Sequence, residues 1–213
     1  MGVIATPVSA LDRLLQRRMD KSRGLPIALK MSRNDLPNLC RELGFRTGAE
    51  IGVWKGAFTS ALCLGNPNMH MLAVDPWVSY LAWLDTKNEM PPEDAERIMN
   101  ESYGLAKARL GPLNCTIVRK FSAKAASEVP DRSLDLVYID ANHVKAAVLE
   151  DLTAWAPKVR SGGIVAGHDY RAFTNKPTIH VIEAVQAYTK SHAIDPWFTL
   201  NADRTPSFLW VVE

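Results

Sequence analysis

The chain has 213 residues, 47% of them hydrophobic, and 25 basic against 23 acidic side chains give it a formal net charge of +2. That is enough apolar material for one sizeable core, and so even a balance argues against the clustered basic face of a nucleic-acid binder, leaving a small molecule as the expected partner. Three scattered cysteines (Cys40, Cys63, Cys115) fit neither a disulfide framework nor a CxxC zinc site, and no run approaches the roughly 18 apolar residues that span a bilayer. A reducing, cytoplasmic setting without a membrane partner is therefore expected, and a homo-oligomer is left open. The opening "MGVIAT" matches the myristoylation pattern at Gly2 and Thr6, a pattern short enough to arise by chance.

Leu11, Leu14, Leu15 and Met19 recur at helical spacing within residues 9–22, with Arg13, Arg17 and Arg18 opposite, which predicts an amphipathic helix packed on the main domain. "NDLPNLCRELG" predicts a second helix, capped by Asn34 or Asp35 and stopped at Gly44. Residues 1–45 thus read as a helical extension and 46–213 as the domain proper. From "AEIGV" onward, short apolar runs alternate with helical patterns, which predicts a parallel α/β sheet with helices on both faces. The connection at 76–112 is far longer than the roughly 2–6 residues usual in such units, and part of it, around 80–90, is expected to form an insertion or lid over the acceptor. Ligands of open α/β sheets bind beyond the carboxyl ends of the strands. Those ends read Glu50 to Gly52, Asp75, Ser122, Asp140 and His168-Asp169.

The turn after the first of these runs is Glu50-x-Gly52-x-x-x-Gly56 rather than the G-x-G-x-x-G of a dinucleotide site. A carboxylate there would repel a pyrophosphate but complements a ligand bearing ammonium and sulfonium groups, which points to S-adenosylmethionine. Gly52 would let backbone approach the methionine portion, and Gly56 would let the next helix pack closely. Asp75, in "MLAVDPW", lies near the roughly 20-residue spacing at which an acid meets a ribose diol in nucleoside-binding folds. Val53 belongs to the same turn, and Trp54, Trp77 and Trp83 lie close to the cofactor turns in sequence, whereas Trp155, Trp197 and Trp210 read as core.

With "TGAEIGVWKGAFTSAL", "LAVDPW", "SLDLVYIDANHVKAAVLEDLTAWAPKVRSGGIVAGHDY" and the closing "PSFLWVV", residues 46 to 213 resemble class I S-adenosylmethionine-dependent methyltransferases, and within them methyltransferase family 24. The resemblance implies a Rossmann-like seven-stranded sheet whose last strand, "FLWVVE", runs antiparallel. It implies a cofactor held by Glu50, Gly52, Asp75, a residue near Ser122 on the adenine, and Asp140, and O-methylation of small-molecule hydroxyls. Some relatives use a divalent metal.

Methyl transfer from a sulfonium is an in-line displacement that needs an acceptor held in place and, for a hydroxyl, a proton taken away. "YIDANH" and "AGHDY" offer Asp140, His143, His168, Asp169 and Tyr170 at the ends of two runs expected to be adjacent strands. We expect His143 or His168 as base, titrating near 6.5, with Asp169 orienting it. Magnesium at Asp140 and Asp169 is the alternative, but here His168 stands where metal-using relatives carry an oxygen ligand. His70, His180 and His192 read as structural. A nicotinamide oxidoreductase is disfavoured by the missing third glycine, and a nucleic-acid methyltransferase by the absence of an Asn-Pro-Pro-aromatic tetrad where "DANH" stands. A metal-dependent hydroxylase-like relative and a non-catalytic cofactor-binding protein remain the competing readings.

Overall fold

The computed structural model describes residues 9–18, 24–79, 91–172 and 179–213. The lid expected at 80–90, Trp83, Met19 and the Gly2–Thr6 pattern lie outside these residues.

Eight strands form one sheet: β1 (Ile27–Leu29), β2 (Thr47–Ile51), β3 (His70–Val74), β4 (Cys115–Val118), β5 (Leu134–Ile139), β6 (Val159–Gly167), β7 (Phe198–Leu200) and β8 (Ser207–Val211). Their spatial order is β1-β7-β8-β6-β5-β2-β3-β4. β8 runs antiparallel to both β6 and β7, and every other pairing is parallel. The seven strands expected from the family resemblance are thus present with the last one reversed, and β1 adds an eighth at the edge. The extension is accordingly not wholly helical: β1 lies parallel to β7, Ile27 opposite Phe198 and Leu29 opposite Leu200.

The helices are α1 (Ala10–Leu15), α2 (Leu36–Glu42), α3 (Ala57–Gly65), α4 (Pro92–Leu110), α5 (Ser122–Ala126), α6 (Lys145–Trp155) and α7 (Val181–Ser191). α1 is shorter than the periodicity predicted; Leu14 is buried on its inner face while Leu15 is largely exposed. α2 is preceded by a 3₁₀ turn, Arg33–Asp35, so the side-chain cap falls at Ser32 rather than at Asn34 or Asp35. Gly44, at φ +69°, follows the helix in the left-handed conformation that suits glycine after a helix end.

Strand β5 is buried along its whole length, and its alternate residues serve opposite faces. Leu136 and Tyr138 join a core with Leu14, Leu36, Leu39, Phe58 and Leu62, so α1, α2 and α3 cover one face. Val137 and Ile139 join Ala125, Leu152, Trp155 and Val185, so α5, α6 and α7 cover the other. α4 completes the first face, packing Ala106 and Leu110 against Val53, Ala73 and Trp77. No helix among the described residues is long and apolar enough to cross a membrane.

Candidate active site

The carboxyl edge of the sheet is organised around the turn from β2 into α3. Gly52 sits at φ +89°, and a Cβ there would fall 2.2 Å from the Asp140 carbonyl oxygen, so the two strand ends meet backbone to backbone. Its freedom serves this contact. Gly56, at φ +74°, forms the left-handed cap of α3, where a Cβ would meet Leu110 at 3.1 Å; close packing is its role, and the helix it packs against is α4.

Asp75 closes the turn. One of its carboxylate oxygens accepts the Val53 and Trp54 N–H groups at 3.0 and 2.9 Å, and the other accepts that of Trp77 at 2.7 Å. Trp54 and Trp77 occupy positive φ, 48° and 46°, which bulky residues seldom adopt, and these hydrogen bonds hold them there. Burial pushes the Asp75 carboxyl above its ordinary pKa, against the pull of the three amides. The assignment of this carboxylate to a ribose diol must therefore share it with the backbone, although two oxygens offer about four acceptor positions. Val53 and Trp77 are buried, with Trp77 Nε1 donating to the Trp54 carbonyl at 2.7 Å, whereas Trp54 is 49% exposed.

Glu50 has a setting that the sequence did not show. Its carboxyl is buried beneath α3 and shares a hydrogen bond with the Thr59 hydroxyl. Burial pushes its pKa up to about 8, although the Thr59 bond and Arg33 pull it down. The reason is register: Glu50 pairs with Tyr138 and Ala73, and like Tyr138 it points to the α3 face instead of outward beyond the strand end.

Asp140 follows β5 and Asp169 follows β6, and because these strands are neighbours the four groups named from sequence converge. His143 Nε2 lies 2.6 Å from Asp169 Oδ2 and 3.6 Å from Asp140 Oδ1. His168 Nδ1 lies 3.4 Å from Asp169 Oδ1 and 3.8 Å from Asp140 Oδ2. The short His143–Asp169 approach is a charge contact out of hydrogen-bond alignment, and the buried Nε2 has no aligned partner among the described residues. Desolvation lowers the His143 pKa, but Asp140 and Asp169 overcome it and push it up to about 9. Asp169, although desolvated, is held well below the ordinary carboxylate range by the two imidazoles, and its backbone sits at φ +55°, a conformation that Asp tolerates. A base titrating near 6.5 is thus not what His143 provides. Asp140, His143 and Asp169 each offer a ligand atom, all within 4.8 Å of one another, a set able to hold a metal ion.

One member of this cluster escaped the sequence reading. Arg33 reaches in from the extension, Nη1 at 3.5 Å from Asp140 Oδ2, with its guanidinium 5.5 Å from the Phe58 ring centroid. Nothing in "MSRND" marks it, since only the path of the chain from β1 into α2 brings it to the edge. Ser122, expected near an adenine, opens α5 with its hydroxyl turned inward: it bonds Asp151 and accepts the Trp155 Nε1 proton at 2.9 Å. Phe121 before it is exposed. Tyr170 packs edge-on against Trp197, His70 bonds Thr116, and His192 stacks on Tyr188; the His180 N–H donates to the His143 carbonyl, which brings that residue to the rim of the cluster.

A family described as methyltransferase domain, methyltransferase family 24, matches residues 49–170. The O-methyltransferase from Bacillus cereus, solved in complex with SAH, shares 16% identity over 99% of this chain and 94% of that chain, with a TM-score of 0.57. A Staphylococcus aureus protein assigned as a caffeoyl-CoA O-methyltransferase shares 16% identity over 83% and 81%, at a TM-score of 0.54. The calicheamicin methyltransferase CalS11 shares 15% over 77% and 71%, at 0.51. At such identities these likenesses speak for the fold. A search of curated protein sequences finds no significant match. The family match spans more than half of the chain, across the Gly52 turn, Asp75, Asp140 and Asp169, and the chain belongs to the class I S-adenosylmethionine-dependent methyltransferases, family 24.

Proposed function

We propose that this enzyme methylates a hydroxyl of a small molecule, with one of the two imidazoles flanking Asp169 taking the hydroxyl proton. The observation that carries the reading is the convergence of Asp140, His143, His168 and Asp169 beside the Gly52 turn. Along the carboxyl edge, strand order sets out β6 and β5 with the catalytic groups, then the turn after β2, then Asp75 after β3, then Phe121 after β4. That sequence of groups fits S-adenosylmethionine laid along the edge: proton acceptors and carboxylates by the reacting end, an acid by the ribose, and exposed Trp54 and Phe121 to cover the adenine. Bound there, the donor supplies a methyl group on a sulfonium. The hydroxyl oxygen bonds to that carbon, the carbon–sulfur bond breaks with its electrons left on sulfur, and the proton passes to the imidazole. Asp169 holds the imidazoles in place and offsets the charge that forms. The O-methyltransferases among the structural neighbours support the choice of oxygen as acceptor atom.

A second reading is favoured by the buried His143 Nε2, which lies between two carboxylates without an aligned partner among the described residues. Asp140, His143 and Asp169 would hold a divalent cation, which when bound would acidify the acceptor hydroxyl; two carboxylates and an imidazole also suit zinc or iron as well as magnesium. Labelled methyl donor offered with a panel of sugars, phenols and antibiotic-like hydroxyl compounds tests the function. Turnover that survives exhaustive chelation and collapses in both His143→Gln and His168→Gln, or in either, supports the base. Loss on chelation restored by a divalent cation establishes the second reading. No methylated product from any acceptor, despite tight donor binding, would leave a cofactor-binding protein without catalysis.

A further inference from the structure

Two thiols outside the site touch each other. Cys63 stands in the last turn of α3 and Cys115 opens β4, so only the fold brings together two cysteines that lie far apart in the chain. Cys63 Sγ donates to the carbonyl oxygen of Asn114, the residue before Cys115, at 3.7 Å, and a side-chain hydrogen bond joins the two sulfurs. Both belong to the apolar packing around Leu62, Met69 and Met71, where Cys115 lies opposite Met71 in the β3–β4 pairing. β4 is the outermost strand of the sheet, and Cys115 on it is partly exposed, whereas Cys63 and Cys40 are buried. The shared bond pulls the Cys63 thiol below its ordinary range and pushes that of Cys115 up, the pattern of Cys115 donating to the Cys63 sulfur. Burial pushes Cys40 up to about 12 and leaves it an inert core residue.

We propose that Cys63 and Cys115 form a reversible disulfide that staples α3 to the edge strand β4. Sulfurs already in contact reach the roughly 2.05 Å of an S–S bond by side-chain rotation, and an edge strand can yield on its open side. The oxidant is a peroxide, small enough to enter beside the partly exposed Cys115. The Cys63 thiolate attacks one peroxide oxygen: an S–O bond forms, the O–O bond breaks, and the departing hydroxide leaves as water with the proton that Cys63 released. The Cys115 sulfur then attacks the sulfenic sulfur, so that the S–S bond forms, the S–O bond breaks, and a second water carries off the Cys115 proton. The two sulfurs together lose two electrons, which the peroxide gains, and a dithiol reverses the bridge. The closed loop, residues 63–115, contains β3, Asp75 and α4, and its closure removes conformations from the unfolded chain. Cys115 is the first residue of its strand, whereas Asp75 and Asp140 follow the last residues of theirs, so the staple lies at the end of the sheet away from the site and acts on stability.

Treating the native full-length chain with hydrogen peroxide, then alkylating it and mapping its peptides by mass, tests this. The protein should pass from three free thiols to that of Cys40 alone, with a Cys63–Cys115 cross-link inside one chain that dithiothreitol undoes. The oxidised chain should melt about 5–15 °C higher than the reduced one. Cys63→Ser and Cys115→Ser should each abolish that rise, and dimedone should trap a sulfenic acid at Cys63 in Cys115→Ser. Three thiols surviving peroxide, a cross-link that uses Cys40 or joins two chains, a bridge that forms only in the urea-unfolded chain, or a bridged chain that melts no higher overturns the proposal. The map and melt of the wild type decide the matter if a variant does not fold.

Discussion

Glu50 and His143 both keep a proton at neutral pH that they would release in water, for opposite physical reasons. Glu50 keeps its proton because burial penalises the anion, and the Thr59 bond offsets only part of that. Its folded pKa of about 8 lies above the ordinary 4.5, so wild-type stability falls as pH rises across that window. Glu50→Gln, which keeps the shape without the charge, should match the wild type near pH 4 and exceed it at pH 9, by on the order of 1–3 kcal/mol in urea denaturation. His143 is desolvated too, but two carboxylates outweigh that and raise it from 6.5 to about 9. Its stabilising contribution is therefore complete below about pH 6.5 and lost as pH rises through 9. Denaturation at a series of pH values should find the destabilisation of His143→Gln greatest below that window and absent above it. For turnover the sign reverses: if His143 is the base, activity rises with pH to a limb near 9, and that limb disappears in His143→Gln. A limb that persists in this variant shows that His143 is not the base.

The β2–α3 turn is where an element is held by very few atoms. Gly52→Ala places a methyl 2.2 Å from the Asp140 carbonyl at φ +89°, where neither backbone can yield, and should cost at least about 3 kcal/mol or abolish folding. Gly56→Ala meets the yielding Leu110 side chain at 3.1 Å and the Ala106 Cα at 3.4 Å, at φ +74°, and should cost about 1–2 kcal/mol. Thermal melts that reverse this ranking would contradict the packing described here. Asp75 links the turn to β3 so closely that removing its carboxylate strips the acceptor from three backbone N–H groups at once. Asp75→Ala should therefore lose stability, by about 1–3 kcal/mol, together with donor affinity, and donor affinity reduced without any change in stability would contradict the clamp.

At the scale of the molecule, the extension and the domain are one folded body. Leu14, Leu29 and Met31 from the extension are buried in the same core as Phe198, Leu200 and Leu209. Removing residues 1–31 would strip these three side chains, each worth about 1.5–3 kcal/mol of burial, and bare the β7 edge. The truncated chain should unfold at markedly lower denaturant and self-associate, as gel filtration would show; an unchanged midpoint would mean that the extension packs only loosely. Much of this architecture could be read in the chain order of residues. The alternation of apolar runs and helical patterns, the punctuation at Gly52 and Gly56, and acids or histidines at the run ends are local signals, because strand burial and ligand binding at carboxyl edges act through residue type at each position. They led to the α/β sheet, to its carboxyl edge, and to Asp140, His143, His168 and Asp169. What those residues do there was decided by tertiary structure. Glu50 turned inward because register, not sequence position, selects the face on which a strand residue points. Ser122 bonded to Asp151 because α5 and α6 are neighbours. His143 became a proton holder because two carboxylates from different strand ends close on it, and Arg33 entered the site because β1 joins the sheet beside β7. Each depends on a contact between residues far apart in the chain, and protonation and orientation follow from such contacts, about which local pattern carries no information.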